Sequence, residues 1–177
     1  MQEVYISLNR AEQLRKLDKE LKRIEKICNC KIDIKSGNVV EFDGDAYGEF
    51  TAKNIIYAFG RGFDMKIAEK LLSDDVYFSS LNITDYTKSI DRRTEIRARL
   101  IGNEGRAKKY MEDVSGAYIS VYGDTISFIG SFESINEAET AAKTLLGGGS
   151  HKLAYIRMEA AHKKYKGQTK GGDLLNE

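Results

Sequence analysis

The sequence has no proline among its 177 residues, so no cis-proline turn enters its folding or any mechanism. It has two cysteines, Cys28 and Cys30, two positions apart. That spacing makes a poor disulfide and half a metal site at best, and it points to a reducing intracellular compartment. Two histidines, His151 and His162, stand eleven apart, each beside a lysine; they read as solvated or RNA-facing side chains rather than ligands. No apolar run approaches the ~20 residues of a membrane helix. The opening Met1-Gln2-Glu3-Val4-Tyr5 lacks the basic patch and apolar stretch of a secretory signal, so the expected location is cytoplasmic. There is no G-x-x-x-x-G-K-S/T loop and no dinucleotide fingerprint. No Ser-His-Asp spacing can be assigned, and acidic pairs are too abundant to nominate one as catalytic. The expectation is a protein with no chemistry of its own and no cofactor.

What is present suffices for a packed core, with 41% hydrophobic and 31% charged residues. The length allows one ordinary domain or two small ones. A net charge of +1 hides a segregation. Lys88 to Tyr110 carries eight Lys/Arg against Asp91, Glu95 and Glu104. Lys152 to Lys170 carries six against Glu159 alone, and Asp124 to Glu139 has four acids and no cation. Local basic segments can bind a polyanion whatever the net charge. Solvated helix faces would give the same pattern.

The chain reads as one unit written twice. Ile27-Cys28-Asn29-Cys30-Lys31-Ile32-Asp33-Ile34 resembles Val114-Ser115-Gly116-Ala117-Tyr118-Ile119-Ser120-Val121 at an offset of 87. Val40 to Gly44 resembles Ile126 to Gly130 at 86, and Thr51-Ala52-Lys53 resembles Ala141-Ala142-Lys143 at 90. In the first copy the pattern predicts a strand over 3–8 and a long helix from Asn9 to about Ile27, with Leu14, Leu17, Leu21 and Ile24 at helical spacing. Strands over 31–35 and 39–42 and helices over 45–59 and 64–72 follow. The second copy predicts a strand over 76–85, helix through 95–101 and again through 106–114, a hairpin over 118–129 and a helix over 134–146. A last helix, 151–166, follows the glycines at 147–149. The fold class is α+β, with the order β-α-α-β-β-α twice.

Between the two helices of the second copy stands Ile101-Gly102-Asn103-Glu104-Gly105-Arg106. Two glycines three apart allow a sharp turn and the close approach of another backbone. The next helix begins there, so its free N–H groups and dipole face the loop, a natural seat for phosphate. Arg97, Arg99, Arg106, Lys108 and Lys109 surround it in sequence. A plain helix–helix turn also uses two glycines.

This loop, with Ser115 to Val121 and Ile126 to Gly130, resembles a type I KH domain, whose G-x-x-G loop clamps about four single-stranded nucleotides. Two such units, the arginine-rich Arg92–Arg99, the run Tyr118-Ile119-Ser120-Val121-Tyr122-Gly123 and a basic last helix entered through His151-Lys152 resemble the archaeal double-KH proteins. These are related to the eukaryotic small-subunit assembly factor that partners the pre-rRNA endonuclease. The resemblance implies single-stranded RNA binding near the 3′ end of 16S rRNA or its precursor. It also implies contact with the PIN-domain endonuclease and with the alpha subunit of initiation factor 2. The implied RNA-binding residues are Gly102, Asn103, Glu104, Gly105, Arg106, Arg97, Arg99, Lys108 and Lys109.

Two departures qualify the resemblance. The variable loop positions, usually basic, are Asn103 and Glu104. The offset of 87 places Arg15-Lys16-Leu17-Asp18 where the first unit would carry its own glycines. Residues 1–74, with 13 basic and 13 acidic side chains, therefore read as a degenerate KH unit on one unbroken helix. Residues 75–166 read as the RNA-binding KH domain with its basic helix, and 167–177 as a flexible tail. The alternative is a protein-interaction adaptor whose loop binds RNA weakly. On the first reading, aspartate at both Gly102 and Gly105 should abolish RNA binding and leave the fold intact.

Overall fold

The computed structural model describes residues 2–172. The chain divides into two compact units, Met1–Phe78 and Ser79–Glu177, four residues beyond the boundary expected at 74. The element order is β1 Gln2–Tyr5, α1 Leu8–Arg15, α2 Asp18–Cys28, β2 Cys30–Ile34, β3 Val39–Gly44, α3 Ala46–Gly60 and α4 Met65–Ala68, which tightens into a 3-10 turn over Glu69–Leu72. Then come β4 Tyr77–Asn82, α5 Ile90–Ile101, α6 Arg106–Ser115, β5 Tyr118–Tyr122, β6 Thr125–Gly130, α7 Phe132–Leu146 and α8 His151–Gly172. The last helix runs past its expected end at Lys166. Residues 173–177 of the expected tail lie outside the described residues.

Each unit holds a three-stranded sheet, ordered β1-β3-β2 in the first and β4-β6-β5 in the second. β3 pairs antiparallel with both neighbours, Val4 facing Val40 and Ile32 facing Phe42. β5 and β6 pair antiparallel with Ile119 opposite Phe128, joined by the two-residue turn Gly123-Asp124. Leu14, Ile24, Val40, Phe42, Ile55 and Ile56 are fully buried in the first unit. Leu100, Met111, Ile126, Phe128, Leu145 and Met158 are their counterparts in the second.

The duplication persists in side-chain detail. Glu25 Oε1 accepts the Ile32 backbone N–H at 2.8 Å, and Glu112 Oε1 accepts that of Ile119 at 2.8 Å, both 87 residues apart. The helix before each of these strands ends on a left-handed residue, Asn29 (φ 48°) and Gly116 (φ 75°). Ile24 and Met111 are both fully buried, and their neighbours in register are buried as well, Cys28 with Ser115 and Cys30 with Ala117.

The unbroken helix expected over 9–27 is two helices. They meet at Lys16-Leu17, in register with the loop of the second unit, and Ser7 rather than Asn9 caps the first. A straight helix of 19 residues would run ~28 Å, well beyond a sheet of five-residue strands at ~17 Å. The bend lets Ala11 and Leu14 on one segment and Ile24 and Cys28 on the other all reach the interior. Leu17 and Leu21, which gave the continuous periodicity, are only half-buried. Arg15 fixes the corner by donating to the carbonyls of Lys35 and Gly37.

Candidate nucleic-acid interface

Ser89 caps α5, and Ile96 and Leu100 anchor it in the core. Ala107, Met111 and Ser115 do the same for α6. Between them the chain turns through Gly102-Asn103-Glu104-Gly105. Gly102 sits at φ 75° and ψ 172°, Glu104 at φ 53° and Gly105 at φ 77°. Backbone bonds hold the turn: Gly102 N–H to Ala98 O at 2.8 Å, and Gly105 N–H to Gly102 O at 3.2 Å. No side chain caps the first turn of α6. Arg106 N–H bonds Asn103 O, and the N–H groups that follow it face the loop without a capping side chain, the arrangement that favours an anion.

The two glycines do different work. A Cβ on Gly102 would stand 2.6 Å from both the nitrogen and the Cβ of Ala107, so glycine there is required by packing as well as by φ. A Cβ on Gly105 would meet nothing within 4 Å. The expectation that aspartate at both positions leaves the fold intact is therefore corrected. At Gly102 the added atoms would push into the start of α6, whereas at Gly105 they would project into open space.

The nine candidate residues separate into groups. Gly102, Asn103, Glu104, Gly105 and Arg106 form the loop and its edge. Glu104 pairs with Arg106 at 3.2 Å, both side chains about three-quarters exposed. Lys109 is exposed, with no ion pair among the described residues. Lys108 bonds Glu112 at 3.0 Å, the same carboxylate that holds β5, and is half-buried. Arg97 and Arg99 are drawn elsewhere. Arg97 donates to Gly123 O and pairs with Asp124 at 3.2 Å, gripping the β5–β6 turn. Arg99 donates to the carbonyls of Leu145 and Gly149, closing the end of α7. Both follow α5 in sequence spacing toward the loop, but their side chains serve the framework.

The sequence reading missed several framework residues. Arg93 joins Arg97 on Asp124, at 2.5 Å. His151 Nε2 lies 2.8 Å from Arg99 O, and His162 Nδ1 lies 2.8 Å from Oε2 of buried Glu137. The histidines are thus tertiary partners rather than solvated side chains. The signal available was Glu137 itself, an acid placed among the apolar positions of a helix. Cys28 and Cys30 are free and buried, and burial pushes both thiols up. No group of three or more His, Cys, Asp or Glu suited to a metal occurs among the described residues. Among them no helix is long and apolar enough to cross a membrane.

The order of elements and the loop between α5 and α6 define a KH-type domain. Residues 77–163 match the family model for the second domain of Pno1, described as a eukaryotic-type KH domain, type I. The chain is 35% identical over 150 residues to a KH domain-containing protein of Methanocaldococcus jannaschii, covering 82% of this chain and 66% of that one. It is 31% identical over 143 residues to the pre-rRNA-processing protein pno1 of Emericella nidulans, covering 76% and 55%. The chain thus spans between about half and two thirds of these curated relatives. Among solved structures, Dim2p from Pyrococcus horikoshii superposes with a TM-score of 0.77 at 33% identity, over 90% of this chain and 99% of that one. A P. horikoshii a/eIF2alpha–aDim2p–rRNA complex gives 0.79 at 31% identity, over 92% and 94%. A protein of unknown function from Aeropyrum pernix shares the fold at 21% identity, with a TM-score of 0.91 over 99% and 97%. The chain belongs to the Pno1/Dim2 family of KH-domain proteins.

Proposed function

We propose that the chain binds single-stranded RNA as a small-subunit assembly protein, acting near the 3′ end of 16S rRNA or its precursor. The observation that carries this is the turn Gly102–Gly105, exposed at Asn103 and Glu104 and backbone-stabilised against the start of α6, which no side chain caps. Its relatives support the RNA: one is named for pre-rRNA processing and another was solved with rRNA and a/eIF2alpha. On this reading the second unit is a type I KH domain and the first a degenerate KH unit. In that unit the Lys16-Leu17 corner replaces the loop without any positive φ. The phosphate-facing set narrows to Gly102, Asn103, Gly105, Arg106 and Lys109. The partners are the 16S rRNA 3′ region, the alpha subunit of initiation factor 2 and the PIN-domain endonuclease, in the cytoplasm, with the catalysis left to that endonuclease.

The adaptor reading draws on Glu104, a carboxylate in the loop that occupies Arg106. A salt series on single-stranded RNA decides between the two. Each phosphate contact contributes about 0.7 to the slope of log affinity against log salt, so several contacts give a steep fall. Weak binding at every salt concentration would favour the adaptor. Comparing the 16S 3′-terminal sequence with an unrelated strand of equal length tests the site on rRNA.

A further inference from the structure

Helix α8 has two faces. Ala154 and Met158 are fully buried, Tyr155 packs against the core, and His162 reaches Glu137. At 3.6 residues per turn, Leu153, Ile156 and Ala160 fall on the opposite side. Leu153 is 39% exposed and Ile156 54%. Lys152 and Lys163 border this strip on one side, Arg157 and Lys164 on the other, all exposed. Arg157 also donates to Thr144 Oγ1 at 3.3 Å, which holds that border against α7. Glu159, the single acid between Ser150 and Gly172, is turned inward to accept the Tyr110 hydroxyl. Among the described residues the outer face therefore carries these four cations and no carboxylate.

A solvated helix face has no need of two large aliphatics side by side. A phosphate track uses cations, and single-strand binding adds aromatic rings for stacking, which Leu153 and Ile156 do not offer. An aliphatic strip with a cationic border on each side complements an amphipathic helix with an apolar centre and carboxylate borders. We infer that the outer face of α8 docks an acidic amphipathic helix of a protein partner. This stands independently of the RNA reading, because it uses neither the loop nor the residues around it.

The test titrates the full chain with a labelled synthetic helical peptide carrying leucine at i, i+3 and i+7 and glutamate on both flanks. L153D/I156D should weaken peptide binding ~10-fold or more, and K152E/K164E, one cation from each border, should weaken it comparably. Thermal midpoints should match the wild type; if aspartate disturbs α8, L153Q/I156Q reads the same loss. Equal binding of the peptide by wild type and L153D/I156D overturns the assignment. So does equal binding of a scrambled peptide. RNA affinity lost in L153D/I156D would give the face to RNA. Self-association of the wild type abolished by the same changes would give it to a second copy.

Discussion

At the residue scale, the loop glycines differ in what they tolerate. Gly105→Asp should fold, at a cost of ~1 kcal/mol for a left-handed aspartate, and lose RNA affinity ~10-fold by placing a carboxylate where phosphate would lie. Gly102→Ala should cost ~2 kcal/mol or more, because φ 75° with ψ 172° is glycine territory and Ala107 blocks the methyl. Thermal melts and RNA titrations of the two variants separate these outcomes. A stable Gly102→Ala would refute the packing argument. Arg106→Ala should lower the salt slope by ~0.7 and weaken unrelated single strands alike. Glu104→Gln frees Arg106 and removes a negative charge, so it should raise affinity ~3-fold at low salt. No change on either substitution would take the Glu104–Arg106 pair out of the site.

At the element scale, the framework is held by polar latches that periodicity does not reveal. Arg99 closes the end of α7 and His162 satisfies buried Glu137. His162→Ala should destabilise the second unit by ~2 kcal/mol, since it strips a buried carboxylate of a partner, while RNA affinity in the folded protein stays unchanged. Chemical denaturation with a parallel RNA titration checks both halves. The strands and helix order were legible because Ile32, Phe42, Ile119 and Phe128 alternate in register and Asn29 and Gly116 mark helix ends. The break at Lys16-Leu17 was not, because Leu14, Leu17, Leu21 and Ile24 keep helical spacing through it. Nor were the true positions of Arg97 and Arg99. Sequence places an arginine near a loop, but a long side chain reaches ~6 Å and here finds carbonyls of other elements first.

At the scale of the whole molecule, two units of one plan carry different surfaces. The second has a loop with three positive φ values; the first turns its corner with none and ties Arg15 to the β2–β3 turn. Lys16→Glu with Lys19→Glu should therefore change RNA affinity less than ~2-fold at moderate salt, where long-range charge is screened. A loss matching that of Gly105→Asp would place the first unit on the RNA.

The hydrogen bonds that fix Gly102 to Ala98 and Gly105 to Gly102 have a kinetic side. A turn already closed on itself has little disorder to surrender when a strand arrives, so capture needs no prior rearrangement. The observed association rate should rise linearly with RNA concentration in stopped-flow mixing, and salt should act chiefly on that slope. A rate that levels off at high RNA concentration would mean that the turn opens and closes before it binds.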